Sequence, residues 1–379
     1  MGNVRRGLVE RVFMVETKDG LAPTPKPIPG LFRDRLSRVS SQLVKLLPKL
    51  TRLTPEEFLG FYSGQKKEIY RQAIESLEHK PFGVVDSWLA TFVKAEKLMI
   101  KDPTNFDPAP RVIQPRSPRY NVELGTYLRH AEHHMFKAID RLYGGPTVFK
   151  GMTSDEAGGH MYDIWNGFKD PVAVGMDASR FDQHVSQEAL KFEHSTWMHM
   201  FPGVDRHHLR RLLDMQLANR GLARCPDGEV RYTTDGGRMS GDMNTSSGNV
   251  MLMCMMVHAH CTGLQIPKFR LANNGDDCIV FFERKYLARF QESVVPWYRD
   301  MGFTMVVEEP VYELEHIEFC QTSPVKVSGS YRMIRDPIKS LSKDCYSVKN
   351  LENSETAKQW VSAVGEGSRA LNAGVPVLQ

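Results

Sequence analysis

The sequence lacks the features that mark zinc-binding, disulfide-bonded, secreted and membrane-spanning proteins. Its six cysteines are scattered, with no Cys-x-x-Cys pair. This pattern argues against a structural zinc site and a disulfide framework, and it favours a reducing compartment. The longest apolar run, residues 250–257, is far shorter than the roughly 20 residues that cross a bilayer. The charged first ten residues have no signal-peptide core. We therefore expect neither secretion nor a transmembrane segment.

A strong charge of either sign is also missing. The chain has 49 Lys and Arg against 45 Asp and Glu, a net charge of +4. This mild basic excess permits a polyanionic partner but does not require one. A length of 379 residues allows two or three domains. The function must therefore be sought in local motifs.

Two proline-rich stretches predict extended segments. Residues 22–30 alternate proline with other residues, which favours an extended strap over a helix. Residues 102–119 interleave five prolines with Arg111, Arg116 and Arg119. A stiff backbone can aim guanidinium groups at phosphates with little loss of entropy. A solvent-exposed basic loop explains the second composition equally well.

An acidic residue follows a short apolar run at residues 171–177 (PVAVGMD), which predicts a buried strand that ends at Asp177. Asp182 comes next, and Ser186 has the pattern of a helix N-cap with Glu188 in the first turn. A strand end that leads through a loop into a helix is a common position for chemistry in sheets flanked by helices.

A second pair of acids lies in the tripeptide Gly275-Asp276-Asp277. The Asn-Gly step before it and the strand formers at 279–282 predict a hairpin. Two adjacent carboxylates without a basic neighbour repel each other unless they share a proton or a cation. Aspartate is also common in turns because it caps backbone amides, so the tripeptide alone does not decide between the two roles.

The two acidic motifs meet at one sheet edge if their strands are neighbours. Mg²⁺ prefers oxygen ligands and is usually held by one or two carboxylates plus substrate phosphates. Two such ions about 3.5–4 Å apart can clamp an in-line phosphoryl displacement. The glycines of the loop 236–241 allow close approach to a ligand, and the Met-rich segment after it is expected to be core.

In combination, these motifs resemble those of viral RNA-dependent RNA polymerases, and most closely the Tombusviridae-like, carmovirus-type enzymes of positive-strand RNA viruses. Residues 175–182 (GMDASRFD), 240–249 (SGDMNTSSGN) and 275–277 (GDD) are similar to the first three palm motifs. Residues 94–97 (KAEK) with 111–116 (RVIQPR) resemble the basic finger motif, and 319–321 (FCQ) resembles the primer-gripping motif. The similarity extends from about residue 12 to residue 379.

The resemblance implies a role for each matching residue. Asp177, Asp276 and Asp277 are expected to be catalytic and to hold Mg²⁺ or Mn²⁺, while Asp182 and Asn249 read the ribose 2′-hydroxyl with support from Thr245. The predicted nucleotide contacts are Asp182, Ser240, Gly241, Thr245, Asn249, Lys94, Arg111 and Arg116. The predicted RNA contacts are Lys97, Arg119, Phe319, Cys320 and Gln321.

The resemblance also implies an α+β right-hand fold of fingers, palm and thumb, in which the palm is an antiparallel sheet flanked by helices. The expected division is an N-terminal extension and fingers (1–165), palm with the first motif (166–190), a fingers or palm insertion (191–235), palm (236–325) and a thumb (326–379) shorter than usual for the family. Related enzymes often carry a lysine in the fourth palm motif as proton donor. Residues 303–308 (FTMVVE) have none, so the donor is unassigned.

The predicted function is a template-directed RNA polymerase that replicates a positive-strand viral genome. Its expected partners are the RNA template and product, nucleoside triphosphates and a viral accessory protein. The family's membrane-associating N-terminal region is not evident, so we expect host cytoplasmic, membrane-associated replication complexes to be reached through a partner or another segment. The alternatives are a reverse transcriptase, an inactive RNA-binding replication scaffold and a two-metal nuclease. The residues that favour ribose argue against the first, the full set of acids against the second, and the 240–249 motif against the third.

Overall fold

The computed structural model describes residues 1–96, 107–348, 350–376 and 378. The helices are α1 (Gly2–Leu8), α2 (Leu31–Leu46), α3 (Pro55–Leu59), α4 (Gly64–His79), α5 (Pro118–Tyr143), α6 (Ser154–Asn166), α7 (Phe181–His184), α8 (Gln187–Met200), α9 (Gly203–Asp214), α10 (Thr245–Gly263), α11 (Leu287–Asp300), α12 (Pro337–Asp344) and α13 (Ser354–Asn372). The strands are β1 (Met14–Thr17), β2 (Gly20–Pro23), β3 (Leu89–Ala90), β4 (Phe92–Val93), β5 (Val112–Ile113), β6 (Pro171–Ala178), β7 (Ala218–Cys225), β8 (Gly228–Asp235), β9 (Phe269–Asn274), β10 (Asp277–Glu283), β11 (Met305–Val307), β12 (Thr322–Val327) and β13 (Ser330–Arg335). The predicted α+β class is confirmed.

A four-stranded antiparallel sheet with the order β11-β6-β10-β9 lies at the centre of the fold. Its register sets Cys278 opposite Met176 and Met305 opposite Ala178. Strands β6 and β10 are almost entirely buried, because both faces of the sheet are covered, and this explains their continuous apolar sequences. The predicted strand at 171–177 and the predicted hairpin around Gly275 are both confirmed.

The two faces of this sheet support separate cores. Alternate residues of β6 point to opposite faces, so Val174 joins the larger core while Ala173 joins a smaller one. The smaller core also contains Met161 of α6 and Phe281 of β10. Each fully buried aliphatic or aromatic side chain stabilises the fold by about 1.5–3 kcal/mol. The sheet is therefore held rigidly between its two layers.

Helix α10 is the most buried helix of the larger core. Residues 247–257 are all buried, including the four methionines of this stretch. A helix that is apolar on every side belongs inside the protein. The prediction that the Met-rich segment is core is confirmed. The first turns of α10 lie close to α7, as the contact of Asn249 with Asp182 shows.

The N-terminal segment crosses the short helix α7, which follows β6. The side chain of Gln183 donates to the Met14 carbonyl over 2.7 Å and to Thr24 Oγ1 over 2.9 Å. Farther along, the Ile28 amide donates to the Asp300 carbonyl over 2.9 Å. Residues 24–30 contain no helix, as predicted for the strap, and α2 after it buries an apolar stripe of Leu36, Val39 and Leu43.

Four smaller sheets accompany the central one in the described residues, namely β1–β2, β4–β5, β3-β7-β8 and β12–β13. Strand β3 pairs in parallel with β7, and β7 pairs with β8, so segments far apart in sequence share one sheet. Hairpin β12–β13 packs on α6 so closely that a Cβ on Gly158 would overlap the backbone of Tyr331. Helix α8 runs across position 190, where the sequence-based division places a boundary. None of the described helices combines the length and the apolar character that crossing a bilayer requires.

Candidate active site

Three aspartates meet at one end of the central sheet. The register of β6 and β10, continued by one residue, sets Asp177 opposite Asp277, and opposite residues have Cβ atoms about 4.5–5.5 Å apart. Asp276 lies in the two-residue turn between β9 and β10. Gly275, the first residue of that turn, has φ +93°, a value that a hairpin turn of this length requires and that glycine adopts without strain. The local sequence thus brings the acids together.

The acids disfavour one another's ionised forms. Asp276 is exposed to solvent on one side. The protein around it still reduces the hydration of its carboxyl, which raises the pKa of that group, and the charge of Asp177 raises the pKa further. Arg111 and Lys150 oppose this rise. Burial also raises the pKa of Asp277, with Asp276 and Asp177 adding to the effect. A cation placed among these groups would relieve the repulsion.

The donor set suits a hard divalent cation. Carboxylate oxygens are the ligands that Mg²⁺ and Mn²⁺ prefer. Within the described part of the chain, no three His, Cys, Asp or Glu side chains are gathered tightly enough to enclose an ion by themselves. Mg²⁺ usually keeps several waters and takes substrate phosphates as further ligands. The acids therefore fit a site that substrate completes.

A fourth carboxylate, that of Glu308, lies over the face of the sheet that carries Gly175 and Asp177. Its amide donates to the Gly175 carbonyl over 2.9 Å, and its side chain occupies the space where a Cβ on Gly175 would be. Burial raises the pKa of Glu308, and the charge of Asp277 adds to the rise. Glu308 ends the stretch in which the family often has a lysine. A nearby cation, Lys339, lowers this pKa.

The turn at residues 319–321 positions the Asp277 carboxylate through a backbone amide. The amide of Cys320 donates to Asp277 Oδ2 over 2.9 Å, and the Cys320 thiol accepts from the Asn274 side chain over 3.3 Å. Cys320 and Gln321 have φ +53° and +62°, so the chain turns sharply here. Phe319 is buried in the smaller core, against Phe149, which corrects the prediction that its side chain contacts RNA.

Asp182, which is half-buried, and Asn249, which is buried, form a hydrogen-bonded pair behind the acids. Asn249 Nδ2 donates to Asp182 Oδ1 over 2.7 Å. Burial raises the pKa of Asp182 to about 6, although the bond from Asn249 opposes that rise. Only 5% of Asn249 is exposed. A carboxylate and an amide together offer both acceptors and donors to a sugar hydroxyl.

A cavity of about 940 Å³ opens beside these groups. Asp182, Ser240 and Asp276 line it, together with residues of the N-terminal segment and of α7. Ligand pockets usually measure about 300–1,000 Å³, so the cavity has room for a nucleotide.

Four arginines line this cavity: Arg238, whose side chain is fully buried, and the more accessible Arg11, Arg111 and Arg180. Burial lowers the pKa of Arg11, and the charges of Arg180 and Arg111 lower it further. Backbone carbonyls orient two of them, since Arg11 Nε donates to Ala109 over 2.8 Å and Arg180 donates to Glu10. Cations that converge despite repulsion create a site for a polyanion.

Arg111 is the one cavity arginine that was predicted from the sequence to contact the nucleotide, and in the structure it shares an acidic partner with Lys94. Both cations share the carboxylate of Glu96, at 3.3 Å for Arg111 and 3.4 Å for Lys94. Arg180 lies inside the first motif, but the family pattern does not single it out, and Arg11 has no motif at all. Lys97, a predicted RNA contact, lies outside the described residues.

Two predicted basic contacts have other roles. Arg116 is buried and forms an ion pair with Asp242 at 2.5 Å, while it also donates to Asn219 Oδ1 over 2.7 Å. Arg119 donates to Asp86 over 2.9 Å and to the Lys80 carbonyl over 2.7 Å. With their donors engaged inside the protein, both side chains join elements of the fold. This corrects the predictions of a nucleotide contact for Arg116 and an RNA contact for Arg119.

The loop that carries Ser240 is shaped by its own backbone contacts. Gly241 has φ +119° and packs on Pro115, and the Gln114 amide donates to the Ser240 carbonyl over 2.8 Å. Thr245 Oγ1 donates within the same loop, to the Met239 carbonyl over 2.8 Å. Ser240 lines the cavity, and Thr245 stabilises the loop that carries Ser240.

Comparison with known proteins gives a consistent answer. The model of the family described as viral RNA dependent RNA polymerase matches residues 1–379. The RNA-directed RNA polymerase of tobacco necrosis virus (strain D) is 57% identical over 380 residues, which cover 100% of this chain and 52% of that protein. Those of tomato bushy stunt virus (strain Cherry) and turnip crinkle virus are 47% and 46% identical, again over 100% of this chain but 45% and 48% of theirs.

The chain thus spans about half the length of the curated relatives that it matches. These relatives confirm the resemblance to Tombusviridae polymerases. On the strength of the full-length family match and these identities, the chain belongs to the viral RNA-dependent RNA polymerase family.

Proposed function

We propose that this chain is the catalytic part of an RNA-directed RNA polymerase that replicates the genome of a positive-strand RNA virus. One observation carries the proposal: three aspartates at the end of the central sheet adjoin a cavity whose lining includes Arg11, Arg111 and Arg180. Acids suited to divalent cations and a basic wall suited to a triphosphate are the two parts that nucleotidyl transfer needs. Family membership supports this proposal.

We assign the fold to a right hand on the same basis. The four-stranded sheet with α10 is the palm, and residues 1–165 with the β7–β8 hairpin make up the fingers. Residues 326–379, which include α12 and α13, belong to the thumb.

In this proposal, each part of a nucleoside triphosphate has its own set of contacts. Its phosphates lie between the three acids and the arginines Arg11, Arg111 and Arg180. Its ribose lies against Asp182 and Asn249, which meet the 2′-hydroxyl that distinguishes RNA from DNA. Ser240 borders the same cavity and contacts the nucleotide or the template base.

The reaction is an in-line displacement. The 3′-hydroxyl oxygen of the growing RNA bonds to the α-phosphorus, the bond from that phosphorus to the bridging oxygen breaks, and the hydroxyl proton and pyrophosphate are released. When bound by Asp177, Asp276 and Asp277, Mg²⁺ or Mn²⁺ supplies positive charge for the attacking hydroxyl and the leaving pyrophosphate. The arginines hold the triphosphate in line, and Cys320 fixes the orientation of Asp277 through its amide.

An incorporation assay tests the proposal. The 379-residue chain, a short RNA template, Mg²⁺ and labelled ribonucleotides are expected to give template-dependent products. Asp276→Ala should lower incorporation by about 10³-fold or more, since it removes a ligand that acts on the transition state, and it should leave RNA binding largely intact. Asp214→Ala, at an exposed acid on α9, is the matched control and should retain activity.

The same assay separates the alternatives. Preference for deoxyribonucleotides would indicate a reverse transcriptase, RNA binding without incorporation a scaffold, and shortening of the labelled RNA a nuclease. Wild-type incorporation by Asp276→Ala would contradict the assignment of the metal ligands.

We extend the proposal to the cellular setting. The chain works with an RNA template, nucleoside triphosphates and a viral accessory protein at membrane-associated replication complexes in the host cytoplasm. The resemblance to the family supports this setting. Co-sedimentation of the chain with membranes only when the viral accessory protein is present would be the expected result.

A further inference from the structure

A buried ion pair lies behind the Asp182–Asn249 pair. Arg238 of the glycine-rich loop and Glu193 of α8 have fully buried side chains and contact each other through Arg238 Nη2 and Glu193 Oε2. Neither residue belongs to the sequence signals described above as functional. A buried ion pair does not necessarily stabilise a protein, because removing two charges from water is costly. Its position beside the sugar-facing pair suggests another reason for its presence.

Arg238 determines which end of the Asn249 amide faces Asp182. Arg238 Nε donates to Asn249 Oδ1 over 3.1 Å, so only Nδ2 remains for the 2.7 Å bond to Asp182 Oδ1. A rotated amide would point its oxygen at the carboxylate and its NH₂ group at a guanidinium N–H. Both contacts would be repulsive, so a fixed donor on one side sets the donor and acceptor pattern on the other.

Glu193 in turn fixes Arg238. Glu193 Oε1 accepts from Trp197 Nε1 over 2.9 Å and from Asn244 Nδ2 over 2.6 Å, while Oε2 receives the guanidinium. These bonds hold the carboxylate on both oxygens. Gly248 leaves the room for the pair, since a Cβ there would overlap Arg238 Nη2 and approach Glu193 Oε1.

Arg238 also contacts the other member of the sugar-facing pair. Its backbone amide donates to the Asp182 carbonyl over 2.8 Å, so one residue anchors both Asp182 and Asn249. In the described structure, Arg238 Nη1 is buried without a hydrogen-bond partner. A buried donor without a partner lowers the stability of the fold, so it favours a positioning role for Arg238 over a stabilising one.

We propose that Arg238, held by Glu193, is a positioning residue for ribose selection. It locks the amide of Asn249 so that the Asp182–Asn249 pair presents a single hydrogen-bonding pattern to the 2′-hydroxyl. This inference rests on the proposed function, in which that pair reads the sugar. It adds two residues with fully buried side chains to the determinants of sugar choice.

The test compares kcat/KM for a ribonucleoside triphosphate and its 2′-deoxy analogue, with the 379-residue chain and one RNA template. Arg238→Lys keeps a charge for Glu193 but cannot also reproduce the Nε contact to Asn249. Its ribose preference should fall by about two- to tenfold, as expected for one hydrogen bond. Asn249→Ala should lose at least as much preference.

A double variant separates positioning from stability. Arg238→Met with Glu193→Gln removes both charges of the ion pair, and the amide oxygen introduced at position 193 can still accept from Trp197 and Asn244. It should keep a melting temperature near that of the wild type and still lose ribose preference. Arg231→Met with Glu229→Gln, which removes an exposed ion pair at 3.1 Å, is the matched control and should keep both.

Each outcome has a defined meaning. A wild-type preference in folded Arg238→Lys and in the double variant, with preference lost in Asn249→Ala, overturns this inference but leaves the sugar-reading role of Asn249 intact. An equal loss of kcat/KM on both nucleotides means a structural role only and also overturns it. A wild-type preference in Asn249→Ala overturns the proposed reading of the ribose and this inference with it. If the double variant does not fold, Arg238→Lys decides.

Discussion

The acidic end of the central sheet and the basic wall of the adjoining cavity are built in different ways. The acids come from two strands and one tight turn, whose register leaves little freedom in their placement. The arginines Arg11, Arg111 and Arg180 come from three segments that only the folded chain brings together. Local structure therefore positions the charges that would bind a cation, and tertiary structure positions those that would bind a polyanion.

Two arginines of one motif sharpen this comparison, because Arg111 is half exposed while the side chain of Arg116 is fully buried. Arg116→Ala would leave Asp242 buried without its partner and should lower the free energy of unfolding by about 3–5 kcal/mol. Arg111→Ala should change it by less than about 0.5 kcal/mol. Urea unfolding of the two variants measures the difference, and equal losses would contradict the buried role of Arg116.

The basic wall can be tested at Arg11, one of the arginines that line the cavity. Arg11→Gln should raise KM for nucleoside triphosphates about tenfold or more, since a hydrogen bond to a charged group contributes about 1.5–3 kcal/mol. Steady-state kinetics at constant ionic strength provide the measurement. Arg5→Gln, an exposed change on α1, is the control. An unchanged KM in Arg11→Gln would remove Arg11 from the proposed triphosphate site.

The acidic end has its own steric test at Gly175. Gly175→Ala would push a methyl group against the carboxylate of the exposed Glu308, whose flexible end can shift, and should destabilise the fold by about 1 kcal/mol or less, the low end for overpacking. Adding Glu308→Ala removes the clash, so the double variant should recover most of that loss. Thermal unfolding of the single and double variants measures the coupling. If Glu308→Ala brings no recovery, the contact between Glu308 and Gly175 is not the cause of the strain.

Several elements could be predicted from sequence because their determinants are local. Strand β6 follows from an apolar run, the β9–β10 hairpin from an Asn-Gly step, and the start of α8 from the Ser186 cap, which accepts from the Ala189 amide. The position of Asp177 opposite Asp277 then needs only the pairing of two predicted strands. The candidate metal ligands were therefore accessible to sequence reasoning.

The basic residues show where such reasoning stops. Arg111, Arg116 and Arg119 look alike in a proline-rich stretch, yet one faces the cavity and two are engaged by Asp242 and Asp86. Burial of an arginine depends on which acid the rest of the chain places beside it. Phe319 is a similar case, since its place in the smaller core is decided by α6 and the β12–β13 hairpin.

By itself, the sequence determined the chemical types and the local spacing of the acids, because strand period and turn geometry act over a few residues. Only the tertiary structure decided which cations surround them, because Arg11 and Arg180 reach the cavity through contacts with distant backbone carbonyls. It also decided that Arg238 faces Asn249, across a buried network that joins α8, α10 and the loop before α10. Long-range packing, and not local propensity, sets which hydrogen-bond partner each of these side chains meets.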